Sequence, residues 1–133
     1  MENFNDIRKY VKKVLDDFFF DKGIEVWPEE KINEIIDIPD EYIIFNIGSE
    51  TYTQYADNIP IFKLYEVNII WIGKDITKKS QRVSEITKTM TEKGFRVIVA
   101  GRDLERELNS KHYGFKSSFR LCKVVNGYAW NYF

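Results

Sequence analysis

The stretch Ile61–Ile72 constrains the fold more than any other. From Tyr65 onward its odd positions are Tyr65, Val67, Ile69 and Trp71, an unbroken apolar row. Its even positions place Glu66 and Asn68 between Phe62, Leu64, Ile70 and Ile72. Side chains alternate between the two faces of a strand, so the spacing predicts one core face and one part-polar face. A second strand is expected over Tyr42–Ile47, joined to the first by a loop, Gly48–Pro60. A hairpin of this kind needs a cover for its apolar face. Two amphipathic helical stretches, one on each side in the sequence, can supply it.

The first helix is expected to run to about Phe20, with Asn3 or Asn5 as its cap. Phe4, Ile7, Val11, Val14, Leu15 and Phe18 recur at three- and four-residue steps and form its apolar stripe. Lys12–Asp16 and Lys13–Asp17 have the spacing of helix ion pairs. Gly23 suits a left-handed cap. Phe18, Phe19 and Phe20 surround the helix end and read as core plus an interface rim. Ile24–Trp27 is a short apolar stretch readable as an edge strand. Pro28-Glu29-Glu30 opens a one- or two-turn helix with Ile32, Ile35 and Ile36 inward, and Pro39 ends anything helical. After the hairpin, a second helix is expected from about Thr77 to Lys93, with Val83, Ile86 and Met90 buried and Gly94 as its cap. A third strand spans Phe95–Ala100, alternating Phe95, Val97 and Val99 against Arg96, Ile98 and Ala100. Gly101–Gly114 is a polar connection with a helical turn at Asp103–Leu108. A fourth strand, Phe115–Val125, turns Phe119 and Leu121 inward.

The expected fold is therefore α+β: one domain over 1–133, two layers, a mainly antiparallel four-stranded sheet with two helices on one face. The order is α-β-β-α-β-β, with an extended hairpin loop and an aromatic tail at 126–133. The helix between the second and third strands suggests a parallel pair joined by a right-handed crossover.

Chemistry is sparse. One histidine and one cysteine, His112 and Cys122, lie ten residues apart on a loop and a strand. They read as a surface histidine and a half-buried cysteine, since a zinc or thiol site needs clustered ligands. The single cysteine excludes an internal disulfide and fits a reducing compartment. No Gly-x-Ser-x-Gly turn is present to build a triad on His112. Gly73-Lys74 lacks the rest of a phosphate loop. Asp40 and Glu66 on a hairpin have the look of a metal-dependent nuclease, a remote alternative, but Asn68 stands where that chemistry wants a lysine. No catalytic, cofactor or metal residue is expected. The formal net charge of -1 argues against a non-specific nucleic-acid binder. No apolar run approaches the ~20 residues of a membrane span, and the N-terminus has no signal-peptide apolar region. The reading is a soluble chain made in a cytoplasm. Lys74, Lys78, Lys79 and Arg82 form a small basic patch, either a solvated turn or a contact for an acidic partner.

Aromatic residues are plentiful, with ten Phe, eight Tyr and three Trp. The loop carries Tyr52 and Tyr55 beside Asp57, Asn58 and Pro60, and the tail carries Tyr128, Trp130, Tyr132 and Phe133. Aromatics with few charges mark a permanent interface. One reading is a general adaptor whose aromatic tail docks in a partner groove.

The segment PDEYIIFNIGSETYTQYADNIPIFKLYEVNIIWIGKD, followed by an amphipathic helix and two strands, resembles the small tail terminator proteins of long-tailed bacteriophages. It also resembles the related head–tail joining, or tail completion, proteins. The resemblance implies an α+β protomer that forms a ring, usually a hexamer, in the neck of a virion. Such a ring caps the tail tube, stops its polymerisation and offers its other face to the head. It implies no catalysis and no cofactor. Its partners would be further copies of itself, the tail tube protein, a neck or head-completion protein, and a sheath protein if the tail contracts. DNA would be passing cargo only, and no membrane is involved. It also adds the Arg102–Arg106 connection to the ribbon loop and tail as interface candidates.

Overall fold

The computed structural model describes residues 6–56, 59–105 and 111–124, with side chains described for all of these but 53–56, 59–61 and 124. The chain is α+β, with a five-stranded mixed sheet. Helix α1 spans Ile7–Phe19 and ends in a 3-10 turn, Phe20–Lys22. Strand β1, Glu25–Pro28, leads into a second 3-10 turn, Glu29–Glu34. The long strands β2, Glu41–Ala56, and β3, Ile59–Gly73, follow. A third 3-10 turn, Ile76–Lys78, opens helix α2, Lys79–Glu92. Strands β4, Arg96–Asp103, and β5, Tyr113–Val124, complete the sheet.

The strand order is β1-β2-β3-β5-β4. β1 runs parallel to β2, and the remaining neighbours are antiparallel. This corrects the four-stranded expectation: Ile24–Trp27 does hold an edge strand, pairing Glu25 to Pro28 with Tyr42 to Phe45. It corrects the expected parallel pair as well. The strand after α2 does not lie beside β3, because β5 sits between them. The reason is burial. β5 is buried at Phe115, Ser117, Ser118, Phe119 and Leu121 and tolerates a neighbour on each side. β4 is exposed along nearly its whole length and takes the edge. Of the alternating row Phe95, Val97 and Val99, Phe95 is buried, but Val97 and Val99 are 41% and 38% exposed.

The expected loop Gly48–Pro60 is mostly strand. Thr51, Tyr52, Thr53 and Tyr55 are β-branched or aromatic and favour extended backbone. Gly48 marks a bulge, where the register shifts between Ile47 and Ser49. β-Pairing then continues to Ala56 opposite Ile59. The helical turn expected from Asp103 begins instead as the last residue of β4, because Asp103 pairs with Phe115. Residues 106–110 lie outside the described residues.

Both helices cover one face. Val11, Leu15 and Phe19 of α1 and Ile86 and Met90 of α2 share a buried cluster with Ile43, Phe45, Val67, Ile69, Trp71, Phe115 and Phe119. The apolar row of β3 is its centre: Val67, Ile69 and Trp71 are fully buried. Tyr10, absent from the expected stripe, is buried and stacks on Phe95 with ring centroids 6.1 Å apart. Asp6 caps α1, its carboxylate accepting from the backbone N–H groups of Arg8 and Lys9 at 3.1 and 3.3 Å. It replaces Asn3 and Asn5, which lie outside the described residues. An aspartate caps as well as an asparagine and adds a negative charge at the positive helix end. Lys12 and Asp16 pair at 2.8 Å as their spacing predicts. Gly23 and Gly94 end their helices at positive φ, 73° and 91°. In the turn after β1, Ile32 and Ile35 are half-buried, but Ile36 is 95% exposed rather than inward. The 3-10 turn ends at Glu34, before it could swing Ile36 back onto the sheet.

Candidate interaction surface

Among the described residues, neither α1 nor α2 packs on the other sheet face, and β1 flanks only Tyr42–Phe45 of β2. From Asn46 to Ala56, no strand among the described residues pairs with the outer edge of β2. The β2–β3 ribbon is stiffened where it leaves the body. Lys63 on β3 faces Tyr52 on β2. Its Nζ lies 5.2 Å from the Tyr52 ring centroid, 5.1 Å from that of Tyr65 and 3.4 Å from the Glu50 carboxylate. Partial burial pulls the Lys63 amine downward, but Tyr65 and Glu50 more than offset this and leave its pKa raised. The tyrosines thus flank a held cation, and Tyr52 stays 48% exposed.

A polar seam crosses the sheet face away from the helices. The Ser118 hydroxyl donates to the Asn68 side-chain oxygen at 2.7 Å, Asn68 donates to Asn46 at 2.9 Å, and Asn46 donates to Glu29 at 2.7 Å. Four elements are joined, and Asn68 and Ser118 are buried with partners. Gly48 belongs to this seam. A Cβ there would stand 2.8 Å from Asn68 Nδ2 and 3.2 Å from a Glu66 carboxylate oxygen.

The basic patch expected around the start of α2 is largely neutralised. Lys74 pairs with Asp40 at 2.9 Å, and Lys79 pairs with Asp103. Arg82 is buried; its Nε donates to Glu41 at 2.7 Å and a terminal nitrogen donates to Glu85 at 2.5 Å. Trp71 Nε1 also donates to Glu41, at 2.7 Å. Burial pushes the Glu41 carboxyl up, but the hydrogen bonds from Arg82 and Trp71 and the Arg82 charge outweigh it, leaving the pKa lowered. These residues fasten α2 to the sheet.

Asp40 and Glu66 are not brought together. Asp40 accepts from the Lys74 backbone N–H at 3.0 Å, and its carboxyl is held low by the hydrogen bond and charge of the Lys74 side chain. Glu66 lies eight residues further along β3, about 26 Å at ~3.3 Å per residue. His112 and Cys122 are also far apart, one just before β5 and the other near its far end, and Cys122 is exposed rather than half-buried. Among the described residues, no three His, Cys, Asp or Glu side chains gather as metal ligands, and no helix is long and apolar enough to cross a membrane.

Of the expected interface residues, Tyr52 and Arg102 are exposed. They are not neighbours: Tyr52 aligns through Lys63 with Lys123 of β5, and Arg102 aligns with Lys116, seven residues away or about 23 Å. Tyr55 and Pro60 pair with each other across the ribbon, and their side chains are not described. Asp57, Asn58, Arg106, Tyr128, Trp130, Tyr132 and Phe133 lie outside the described residues. Sequence reading missed the exposed Val97–Val99 run and the basic residues Arg96, Lys116 and Arg120 beside it. Strand register alone reveals that these gather. No family model matches the chain, and no curated protein matches it.

Proposed function

We propose that this chain is a structural virion subunit: a tail terminator that assembles as a ring, a hexamer by the resemblance, at the head-proximal end of a phage tail tube. There it stops tube polymerisation and gives the head or neck its docking surface. The observation that carries this reading is the edge of β2 from Asn46 to Ala56, unpaired among the described residues and about 36 Å of strand at ~3.3 Å per residue. A long unpaired strand edge is a liability for a solitary protein and an asset for one that assembles. The exposed Tyr52 beside a held lysine gives that edge the aromatic character of an interface. The resemblance along Pro39–Asp75 covers this same ribbon and supplies the tail-tube partner. The sequence likeness applies equally to a head–tail joining protein, so the deciding experiment separates the two. Tails assembled without this chain are imaged by electron microscopy. Overlong tubes mean termination, normal-length tails without heads mean joining, and normal tails carrying heads overturn both.

A further inference from the structure

The nearly balanced net charge conceals a sorting of charges onto opposite edges of the sheet. Residues 16–41 hold ten acidic and two basic residues, a net of -8, although Asp16, Glu30, Asp40 and Glu41 are paired with Lys12, Arg8, Lys74 and Arg82. This segment forms the end of α1, β1, the turn after it and the start of β2. Residues 93–124, which contain β4 and β5, hold eight basic and three acidic residues, a net of +5. β1 and β4 are the two outermost strands.

On the basic edge the register sets like charges directly opposite one another, Arg96 against Arg120 and Arg102 against Lys116. Such pairs destabilise a sheet. Arg96, Arg102 and Arg120 are exposed. Asp103, the acid on β4, is already paired with Lys79. Val97, Ile98 and Val99 present an apolar run on the same strand. At the other edge, a groove of about 420 Å³ lies between α1 and β1, lined by Lys12, Asp16, Phe20, Glu25, Val26 and Trp27. Lys12 is committed, to Asp16 at 2.8 Å and to the Val26 carbonyl at 2.9 Å. Asp17, Asp21 and Glu25 stay exposed, and Phe20 is 78% exposed.

We propose that the β4–β5 edge of one copy seats against the α1–β1 edge of the next, with Arg96 and Arg120 facing Glu25 and Asp21 and Val97–Val99 packing on Phe20. This rests on the ring reading and names its subunit contact. Lys12 occupies a carbonyl of β1, so side chains make the contact and the sheets do not join. The contact is head-to-tail: one edge meets the other, as a closed ring requires. Two self-complementary edges on one chain favour a second copy over DNA as the anionic partner, because the same molecule carries the matching acids.

The test uses sedimentation velocity on the full chain at low and high salt. The wild type associates at low salt and dissociates as screening shortens the reach of surface charges. Arg96→Glu/Arg120→Glu and Asp21→Lys/Glu25→Lys are each expected to weaken self-association by about a hundredfold, since like charges then face each other. Circular dichroism checks that both variants are folded. Mixed in equal amounts, they reassociate, because each reversed pair on one variant then faces a pair of opposite sign on the other. A wild type that is monomeric at low salt, or variants that assemble as the wild type does, overturns the contact. Loss of double-stranded DNA binding in Arg96→Glu/Arg120→Glu without any change in self-association assigns the basic edge to nucleic acid and also overturns it. The tail micrographs decide the terminator reading separately, so a ring built through other surfaces would sink this contact and leave that reading standing.

Discussion

Removing the Arg82 guanidinium should unfasten α2 from the sheet, and the surrounding geometry sets the cost. Arg82 is 7% exposed and serves two carboxylates, Glu41 and Glu85. In Arg82→Ala, Glu41 keeps only the Trp71 N–H as a donor, and Glu85 keeps Lys22 at 3.3 Å. The two carboxylates then repel each other with no cation between them. Deleting one partner of a fully buried ion pair costs about 3–5 kcal/mol. The Glu41 side chain is 17% exposed, which admits some water, so about 2–4 kcal/mol is expected here. Glu41→Gln keeps one acceptor oxygen but loses the charge and replaces the other acceptor with an NH2 donor, for about 1–2 kcal/mol. The double variant should cost less than the sum by about 1–2 kcal/mol, because the second change removes the orphaned charge left by the first. Urea denaturation measures this as a shift in midpoint at constant slope. The sign with pH follows from the lowered Glu41 pKa. Its stabilisation is fully present above the ordinary glutamate value of about 4.3 and is lost as pH falls through the lower folded value. The gap between wild type and Glu41→Gln should therefore be full at pH 7 and close in acid below that range. A coupling under about 0.5 kcal/mol, or a gap that widens in acid, would refute the reasoning.

Three further outcomes are expected. Gly101→Ala and Gly23→Ala both strain a positive φ, 70° and 73°, but only at Gly101 would the Cβ strike a neighbour, at 2.9 and 3.0 Å from the Val83 methyls. Gly101→Ala should thus exceed Gly23→Ala by about 1 kcal/mol or more in thermal or urea unfolding; equal costs would contradict the packing. Gly48→Ala should cost about 1–3 kcal/mol by crowding Asn68, and it should shift the Asn68 side-chain amide resonances in an NMR spectrum. Tyr52→Ala should change stability by under about 0.5 kcal/mol, because the ring is half exposed, yet lower assembly onto tail tubes in a pull-down; normal assembly would remove the ribbon from the interface.

The core was legible because its signals are periodic and local. Tyr65, Val67, Ile69 and Trp71 repeat at every second residue and Ile7, Val11, Val14 and Leu15 at helical steps, and all are buried. What escaped reading depends on partners distant in sequence. β1 is readable as an edge strand, but it is four residues long, and only the parallel register with Tyr42–Phe45 shows that it joins the sheet as a fifth strand. Gly48 reads as a turn residue until Asn68 and Glu66 are seen to occupy the space its side chain would need. The alternation of Phe95, Val97 and Val99 marks a strand, but it does not reveal that this strand lies at an edge of the sheet. β4 is the last strand, and its register with β5 shifts between Val97 and Val99 and again between Val99 and Arg102, so the alternation does not carry through it.

The charge pattern carries the same lesson into function. A net charge of -1 reads as indifference to charged partners, and that inference holds only if opposite charges are interspersed. Here Arg96 and Arg120 pair with each other across β4 and β5, while Asp17, Asp21 and Glu25 stand at the far edge of the sheet. Each edge alone is a strong patch, and a summed charge near zero is what a chain would carry if its two ends were built to meet. The exposed Phe20 and the Val97–Val99 run sit within those same two patches, so desolvation of apolar surface and charge pairing would act at one contact. A copy of this chain has the complementary surface at the complementary edge, and repetition of a single head-to-tail step is the geometry from which a ring is closed.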